Sequence, residues 1–317
     1  VTEAPAEVPA SASLDELRDD VAPVRAFWEG LGLPGLLDVH VHFLPPPIQA
    51  AVYRQFDAAG PKIGREWPIR YRLPVEDRVT LLREMGVRRF SALPYAHKPG
   101  VAPYLNNWAA GFAADVPESL WSATFYPEPE APSYVAQALA AGVEVFKLHL
   151  QVGEFHLDHE LLRPVWGLLE DAGVPVVVHA GSGPVGNEFT GPASTARVLE
   201  RFPRLALVIA HMGAPECEEF LELAERHERV CLDTTMMFTD FFGQDYPAHL
   251  LPRLVDLGDK VLLGSDVPTI PYPYVHQLEG LARLDLGDDW LRAVCWHNGV
   301  RIFGLERPDV PAVGGGS

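Results

Sequence analysis

Eight short apolar runs, separated by longer stretches of helical period, constrain the fold of this chain more than any other feature of its sequence. They are GLLDVHVHF (35–43), RFSALPY (89–95), LWSATFY (120–126), VEVFKLHL (143–150), VPVVVHA (174–180), LALVIAH (205–211), RVCLDTT (229–235) and KVLLGSD (260–266). Between them lie amphipathic segments such as VEDRVTLLREMG (75–86), SYVAQALAAG (133–142), LLRPVWGLLEDAG (161–173), STARVLERF (194–202) and CEEFLELAERH (217–227). Several end in glycine just before the next run, as a helix C-cap requires. Continuous apolar strands alternating with helices imply parallel pairing with both faces of the sheet covered. Eight such units predict the α/β class and, within it, a (β/α)8 TIM barrel. A doubly wound sheet loses its main support because no GxGxxG follows the first strand.

The chain has 317 residues, 48% of them hydrophobic, which is enough for one large barrel with decorations. We expect an N-terminal extension and helix over 1–34, the barrel over 35–304 with an insertion after strand 1, and a tail over 305–317. The helical patterns at 13–32 and at WLRAVCWHNGVRIFG (290–304) pack on the barrel, with Asn298 as a tie to it. The closing GGGS is excluded from fold reasoning. No apolar run approaches the about 18 residues of a membrane span, and the acidic start VTEAPAEVPASASLDELRDD lacks the basic and apolar regions of a secretory signal. A cytoplasmic location is therefore expected. A net charge of −18 repels phosphate backbones and anionic lipid, so the expected partner is a small-molecule substrate, not nucleic acid or membrane. A homo-oligomer is compatible with the sequence. The three cysteines, Cys217, Cys231 and Cys295, lack CxxC spacing and suggest neither a disulfide framework nor a cysteine zinc site.

The chemistry-bearing residues fall at the ends of the strand runs. In an extended strand His40 and His42 point to one face while Val39, Val41 and Phe43 point to the other. Unpartnered buried imidazoles cost roughly 1–3 kcal/mol each, and a metal ion would satisfy both. Active sites of parallel barrels sit at the C-terminal ends of the strands. There lie His40 and His42 on strand 1, Lys147 and His149 on strand 4, His179 on strand 5, His211 on strand 6 and Asp266 on strand 8. Imidazoles with a carboxylate suit a zinc-like divalent ion that keeps positions open for water or substrate.

From Leu36 to Phe303, through DVHVHF, FKLH, VVVHAG, IAHMG, LLGSDVP and HNGVRIFGL, the chain resembles the amidohydrolase superfamily. Its closest resemblance is to the amidohydrolase-related branch that includes aminocarboxymuconate semialdehyde decarboxylase. The resemblance implies that His40, His42, His179 and Asp266 bind the metal and that His211 stands beside it as an acid/base or substrate-polarising group. It also implies one metal per chain, and the donor set favours zinc. In some superfamily members a strand-4 lysine is carbamylated and bridges two metals; for Lys147 a free ammonium is favoured over that bridge.

Catalysis is then expected from His211, Asp266 and Lys147. Asp266 ligates and accepts the proton of an attacking water, and His211 polarises a carbonyl or protonates a leaving group. The reading favoured is hydrolysis of an amide, ester, lactone or C–C bond. The alternative is non-oxidative decarboxylation of an aromatic or muconate-like acid, which needs a cation for the substrate carboxylate. Arg70 and Arg72 in PIRYRLP (68–74), together with Lys147, are its candidates. A binding protein without catalysis is the third reading. Further substrate contacts are expected from His149, from Asn187 and Glu188 in GSGPVGNEFTGP (181–192), and from Met237 in TTMMFTDFFG (234–243). Tyr272 and Tyr274 are weaker candidates.

Overall fold

The structure, a computed structural model, describes residues 12–242 and 246–305. Residues 1–11, the start of the expected extension, and 306–317, nearly all of the expected tail, lie outside the described residues. The strands are β1 (Leu36–Asp38), β2 (Val87–Ser91), β3 (Ser119–Leu120), β4 (Ser122–Thr124), β5 (Val145–His149), β6 (Val176–His179), β7 (Leu207–Ile209), β8 (Val230–Asp233) and β9 (Val261–Leu262). They pair in parallel as β1-β2-β3 and as β4 through β9 in chain order. The third apolar run is split at Trp121, so that β3 pairs with β2 while β4 pairs with β5. Ser122 Oγ accepts the Ala92 N–H at 2.9 Å, which makes β3 and β4 one stave. The ring closes where Val39 N donates to Leu263 O (2.9 Å), Val41 pairs with Val267, and His42 N donates to Val267 O (2.8 Å). The fold is a (β/α)8 barrel.

Strand alternation sorts the core into two layers. Leu37, Val39, Val145, Val177, Val208, Cys231 and Leu262 fill the barrel interior. Phe146, Leu148, Val176, Val178, Leu207, Ile209, Val230 and Leu232 face the surrounding helices. By the same period, Lys147 and His149 continue the inward face of β5, His179 that of β6 and Asp233 that of β8. On β1 the alternation breaks. The sequence pattern places Val39, Val41 and Phe43 on one face, but Val39 joins the interior layer and Val41 and Phe43 join the outer one. The reason is that the regular ladder with β2 ends at Asp38, after which the chain is held by the bonds to Leu263 and Val267.

The helices match the apolar periods closely, at Val75–Met85, Ala131–Ala140, Arg163–Ala172, Pro192–Arg201 and Cys217–Arg226. The expected insertion after strand 1 contains two helices, Pro46–Asp57 and Gly60–Ile63, that the sequence pattern does not mark. Before the barrel, Ser13 and Glu16 form a reciprocal cap on the short helix Leu14–Leu17, and Val21–Gly30 follows. Trp28 of that helix donates to Met85 O at 2.9 Å. Its ring lies against Gly86, whose φ of 84° ends the helix Val75–Met85 and where a Cβ would come within 2.6 Å of the indole. Among the described residues no helix is long and apolar enough to cross a membrane.

After the barrel, the segment from Asp288 to Ile302 packs Trp296, Val300 and Ile302 against the barrel interior. Asn298 anchors it by donating from Nδ2 to Gly258 O (2.7 Å) and Val261 O (2.8 Å). Asn298→Ala leaves these carbonyls unsatisfied beside a small void, and we expect a stability loss of about 2 kcal/mol. A urea midpoint measured against the wild type checks it, and the metal content of the variant should be unchanged.

Candidate metal centre

At the C-terminal mouth of the barrel, His40, His42 and Asp266 bring one ligand atom each to within 4.8 Å of one another, all three buried. Asp266 lies beyond β9 with φ at 70°, and its N–H donates to His40 O at 2.7 Å. That bond ties together the two segments that carry the cluster. Gly264 precedes it, and a Cβ there would stand 2.2 Å from Thr235 Oγ1 and 2.9 Å from His40 Cβ, so the close approach of the two strand ends requires glycine.

Hydrogen bonds set the tautomers. His40 Nδ1 lies 2.9 Å from Asp233 Oδ2, His42 Nδ1 lies 2.8 Å from Leu93 O, and His211 Nδ1 lies 3.1 Å from Thr235 O. Each partner is an acceptor, so each Nδ1 carries the proton and each Nε2 is left as a lone pair. His42 Nε2 is then only 3.1 Å from Asp266 Oδ1, and His40 Nε2 is 3.9 Å from the same oxygen. Two acceptors at that separation require a positive charge between them, either a second proton on His42 or a cation. Two imidazole Nε2 atoms and a carboxylate oxygen are a donor set that fits a divalent cation.

Asp233 organises this arrangement. Fully buried at the end of β8, it accepts from His40 through Oδ2 and from the backbone N–H groups of His211 (2.9 Å) and Thr235 (3.1 Å) through Oδ1. His211 and Met212 are thereby held in the left-handed region, with φ of 53° and 50°. Lys147 is also buried, and its Nζ donates to His40 Nε2 at 3.1 Å. Burial pulls its ammonium down to about 8, against the opposing pull of Asp233 and Asp266. Burial likewise holds His40, His149, His179 and His211 below the ordinary imidazole value, with Lys147 adding to the effect. Burial raises the Asp266 carboxyl, but the hydrogen bond and charge of His42, with His40 and His211, outweigh it and keep Asp266 ionised. Beneath the cluster, the buried Arg78 guanidinium donates to His42 O at 3.0 Å and lies over the Phe43 ring.

The remaining expected residues divide into two groups. His149, His179, His211 and Met237 line one cavity of about 1040 Å³ with the cluster at its floor. His179 lies outside the compact cluster of His40, His42 and Asp266 that could hold a metal ion. Its Nε2 donates to Gly183 O at 3.1 Å and its ring stacks on His149 at 4.0 Å. Arg70, Arg72, Asn187 and Glu188 do not line the cavity. Arg70 is paired with the buried Asp20 of the N-terminal segment, which also accepts from Tyr71 OH, and Arg72 is paired with Asp57. The first contact straps the insertion to the N-terminal segment, the second closes within the insertion itself, and both commit guanidinium groups that do not line the cavity. Asn187 spends its side chain on Gln151 O and Phe189 N, while Glu188 is exposed. Tyr274 donates to Asp38 (2.9 Å), a buried carboxyl that burial raises to about 7, and Tyr272 is buried near Phe241.

Two residues escaped the sequence reading. Asp233 was discoverable, because Val230 and Leu232 face the helices and the period places Cys231 and Asp233 inward at a strand end. Tyr95 lines the cavity with its ring against His42 and His149 (centroids 5.5 and 5.3 Å), and it follows the end of β2 by four residues without a periodic signal.

This chain belongs to the amidohydrolase family, whose model matches residues 37–305. No curated protein matches the sequence. Among solved structures, an uncharacterised TIM-barrel protein of Bordetella bronchiseptica is 20% identical with a TM-score of 0.68, over 85% of this chain and 99% of that one. The 2,6-dihydroxybenzoate decarboxylase of Rhizobium is 16% identical with a TM-score of 0.63, over 87% and 100%. The 5-carboxyvanillate decarboxylase of Novosphingobium aromaticivorans, solved with manganese and a nitrobenzoic acid, is 14% identical with a TM-score of 0.59, over 85% and 96%. At these identities the likeness is one of fold.

The role given to Asp233 is directly measurable. Asp233→Asn presents an amide in place of the carboxylate that orients His40, and we expect about a 10- to 100-fold weaker metal affinity. A competitive titration with a chromogenic chelator reads it, and unchanged affinity would remove Asp233 from the metal-positioning role.

Proposed function

We propose that this chain is a metal-dependent hydrolase acting on an amide, ester, lactone or C–C bond of a small carbonyl substrate, with one zinc ion per chain held by His40, His42 and Asp266. The observation that carries this reading is the close approach of imidazole and carboxylate acceptors at the floor of a large cavity. When bound, a divalent cation supplies Lewis-acid polarisation of a carbonyl and makes water acidic near neutrality. The Asp266 carboxylate, kept ionised by its imidazole neighbours, takes the proton of the attacking water. His211 donates a hydrogen bond from Nδ1 to the Thr235 carbonyl, so its Nε2 is the atom that relays the water proton taken by Asp266 to the leaving group. Lys147 acts as a free ammonium that balances Asp233 and Asp266 and meets an oxygen of the substrate. His149 and Met237 contact the substrate from the wall, and His179 joins the metal or the substrate by turning from Gly183.

The decarboxylase reading has one observation in its favour: Lys147 is a cation at the floor, where a substrate carboxylate would need one. Several structural neighbours, the two decarboxylases above among them, carry that activity in their names. Hydrolysis is preferred because Arg70 and Arg72, the other cations proposed for a carboxylate, are committed to Asp20 and Asp57. The resemblance to the aminocarboxymuconate semialdehyde decarboxylase branch is part of this proposal and is compatible with either outcome.

Elemental analysis of freshly purified protein should find about one metal ion per chain, and two would replace this reading with a bridged pair involving Lys147. Chelation should abolish turnover and zinc should restore it. Across a panel of lactones, amides, esters and hydroxybenzoates, metal-dependent acid release without carbon dioxide supports the hydrolase, and carbon dioxide release supports the decarboxylase. Asp266→Asn should lower kcat by about a hundred- to ten-thousandfold. Full activity in that variant would remove Asp266 from the reaction.

A further inference from the structure

The cavity is much larger than the cluster at its floor needs. At about 1040 Å³ it stands at the upper end of the range for drug-sized ligands, and a single benzoate ring would leave most of it to water. Its wall above the histidines is apolar. Ile48, Val52 and Phe56 come from the insertion helix Pro46–Asp57, and Met236, Met237 and Phe242 come from the loop after β8. Trp67 joins the two sides, with ring centroids 5.1 Å from Phe56 and 5.5 Å from Phe242. Its indole N–H donates to Thr269 O at 2.7 Å, which fixes the wall to the segment that follows Asp266.

Two further cations line this cavity. Lys62 lies on the short helix Gly60–Ile63, and Arg65 follows it, its guanidinium 5.2 Å from the Phe241 ring. Both are solvent-exposed, unlike Lys147 on the floor. Among the described residues neither makes an ion pair, in contrast to Arg70 and Arg72 of the same insertion. The carboxylates among the lining residues are Asp266 at the floor and Glu154 beyond β5. In a chain of net charge −18, a pair of cations on the edge of an apolar channel is a local field of opposite sign.

We infer that Lys62 and Arg65 form an anion subsite at the rim, and that the substrate is an extended amphipathic molecule. Its carbonyl reaches the floor, its aryl or acyl body lies along the Phe56–Trp67–Phe242 wall, and a terminal carboxylate, sulfonate or phosphate meets the two cations. The inference rests on the floor being the reaction site, and it makes the insertion after strand 1 the element that selects the substrate.

Dye binding to the full chain as purified tests this without turnover. Anilinonaphthalene sulfonate has an aromatic body and an anion, and phenylnaphthylamine has the same body without the anion. Both should bind saturably, one per chain, and displace one another. The double substitution Lys62→Glu and Arg65→Glu should weaken the sulfonate dye about tenfold and the uncharged dye less than about twofold, with the difference shrinking at high salt. Val52→Trp, which narrows the channel, should weaken both. An unchanged sulfonate affinity, equal loss of both dyes in the charge-reversed protein, indifference of both dyes to Val52→Trp, or no saturable binding would each overturn the inference. Because no chemistry is read, loss of the rim subsite leaves the hydrolysis assay standing, and failure of hydrolysis leaves the dye result standing.

Discussion

The centre depends on a buried carboxylate, Asp233, that is fully satisfied by groups from two other parts of the chain and one from its own. Its oxygens take the His40 ring proton and the backbone N–H groups of His211 and Thr235. Burying a carboxyl group is costly unless its oxygens are hydrogen-bonded, so these donors are held where they are by the penalty for leaving it unpaired. One residue therefore sets the His40 tautomer, holds His211 in a left-handed conformation and fixes the distance between the ends of β7 and β8. The left-handed turn at His211 and Met212 is a local cost that this network offsets.

The barrel makes such a centre possible by separating its two ends. The interior is filled by aliphatic side chains and closed at one end by the C-terminal segment with Trp296 and Val300, so stability resides there. The opposite end, where β5, β6 and β8 turn inward Lys147, His149, His179 and Asp233, is released from packing and holds polar groups at close range. Burial holds the His40 and His211 imidazoles below their ordinary value, and it would raise Asp266 as well were it not outweighed by the hydrogen bond and charge of His42, with His40 and His211. Imidazole Nε2 atoms converging on a carboxylate oxygen suit a cation better than an anion.

The insertion after strand 1 has two functions in the structure. Its arginines Arg70 and Arg72 are structural, joined to Asp20 and Asp57, and the Tyr71 hydroxyl donates to Asp20 and accepts from the Tyr274 N–H. Its helical part instead faces the cavity with Ile48, Val52 and Phe56. Arginines two residues apart near an active-site mouth look alike in sequence whether they bind substrate or bind Asp20. The deciding carboxylates lie 50 and 15 positions away, and no local pattern announces them.

The barrel, its helices and the strand-end positions of His40, His42, Lys147, His149, His179, His211 and Asp266 were legible in the amino-acid order, because period-two and period-3.6 patterns are properties of adjacent residues. Asp233 was within reach of the same reasoning through the alternation with Cys231. What needed the folded chain was everything that depends on residues distant in sequence: the tautomers set by Leu93, Asp233 and Thr235, the bond of His179 to Gly183, the break of alternation at Val39, and the pairing of Arg70 and Arg72 with Asp20 and Asp57. The physical reason is that hydrogen-bond partners and desolvation are decided by which strand ends meet across the barrel, and the chain order carries that information only through the closed fold.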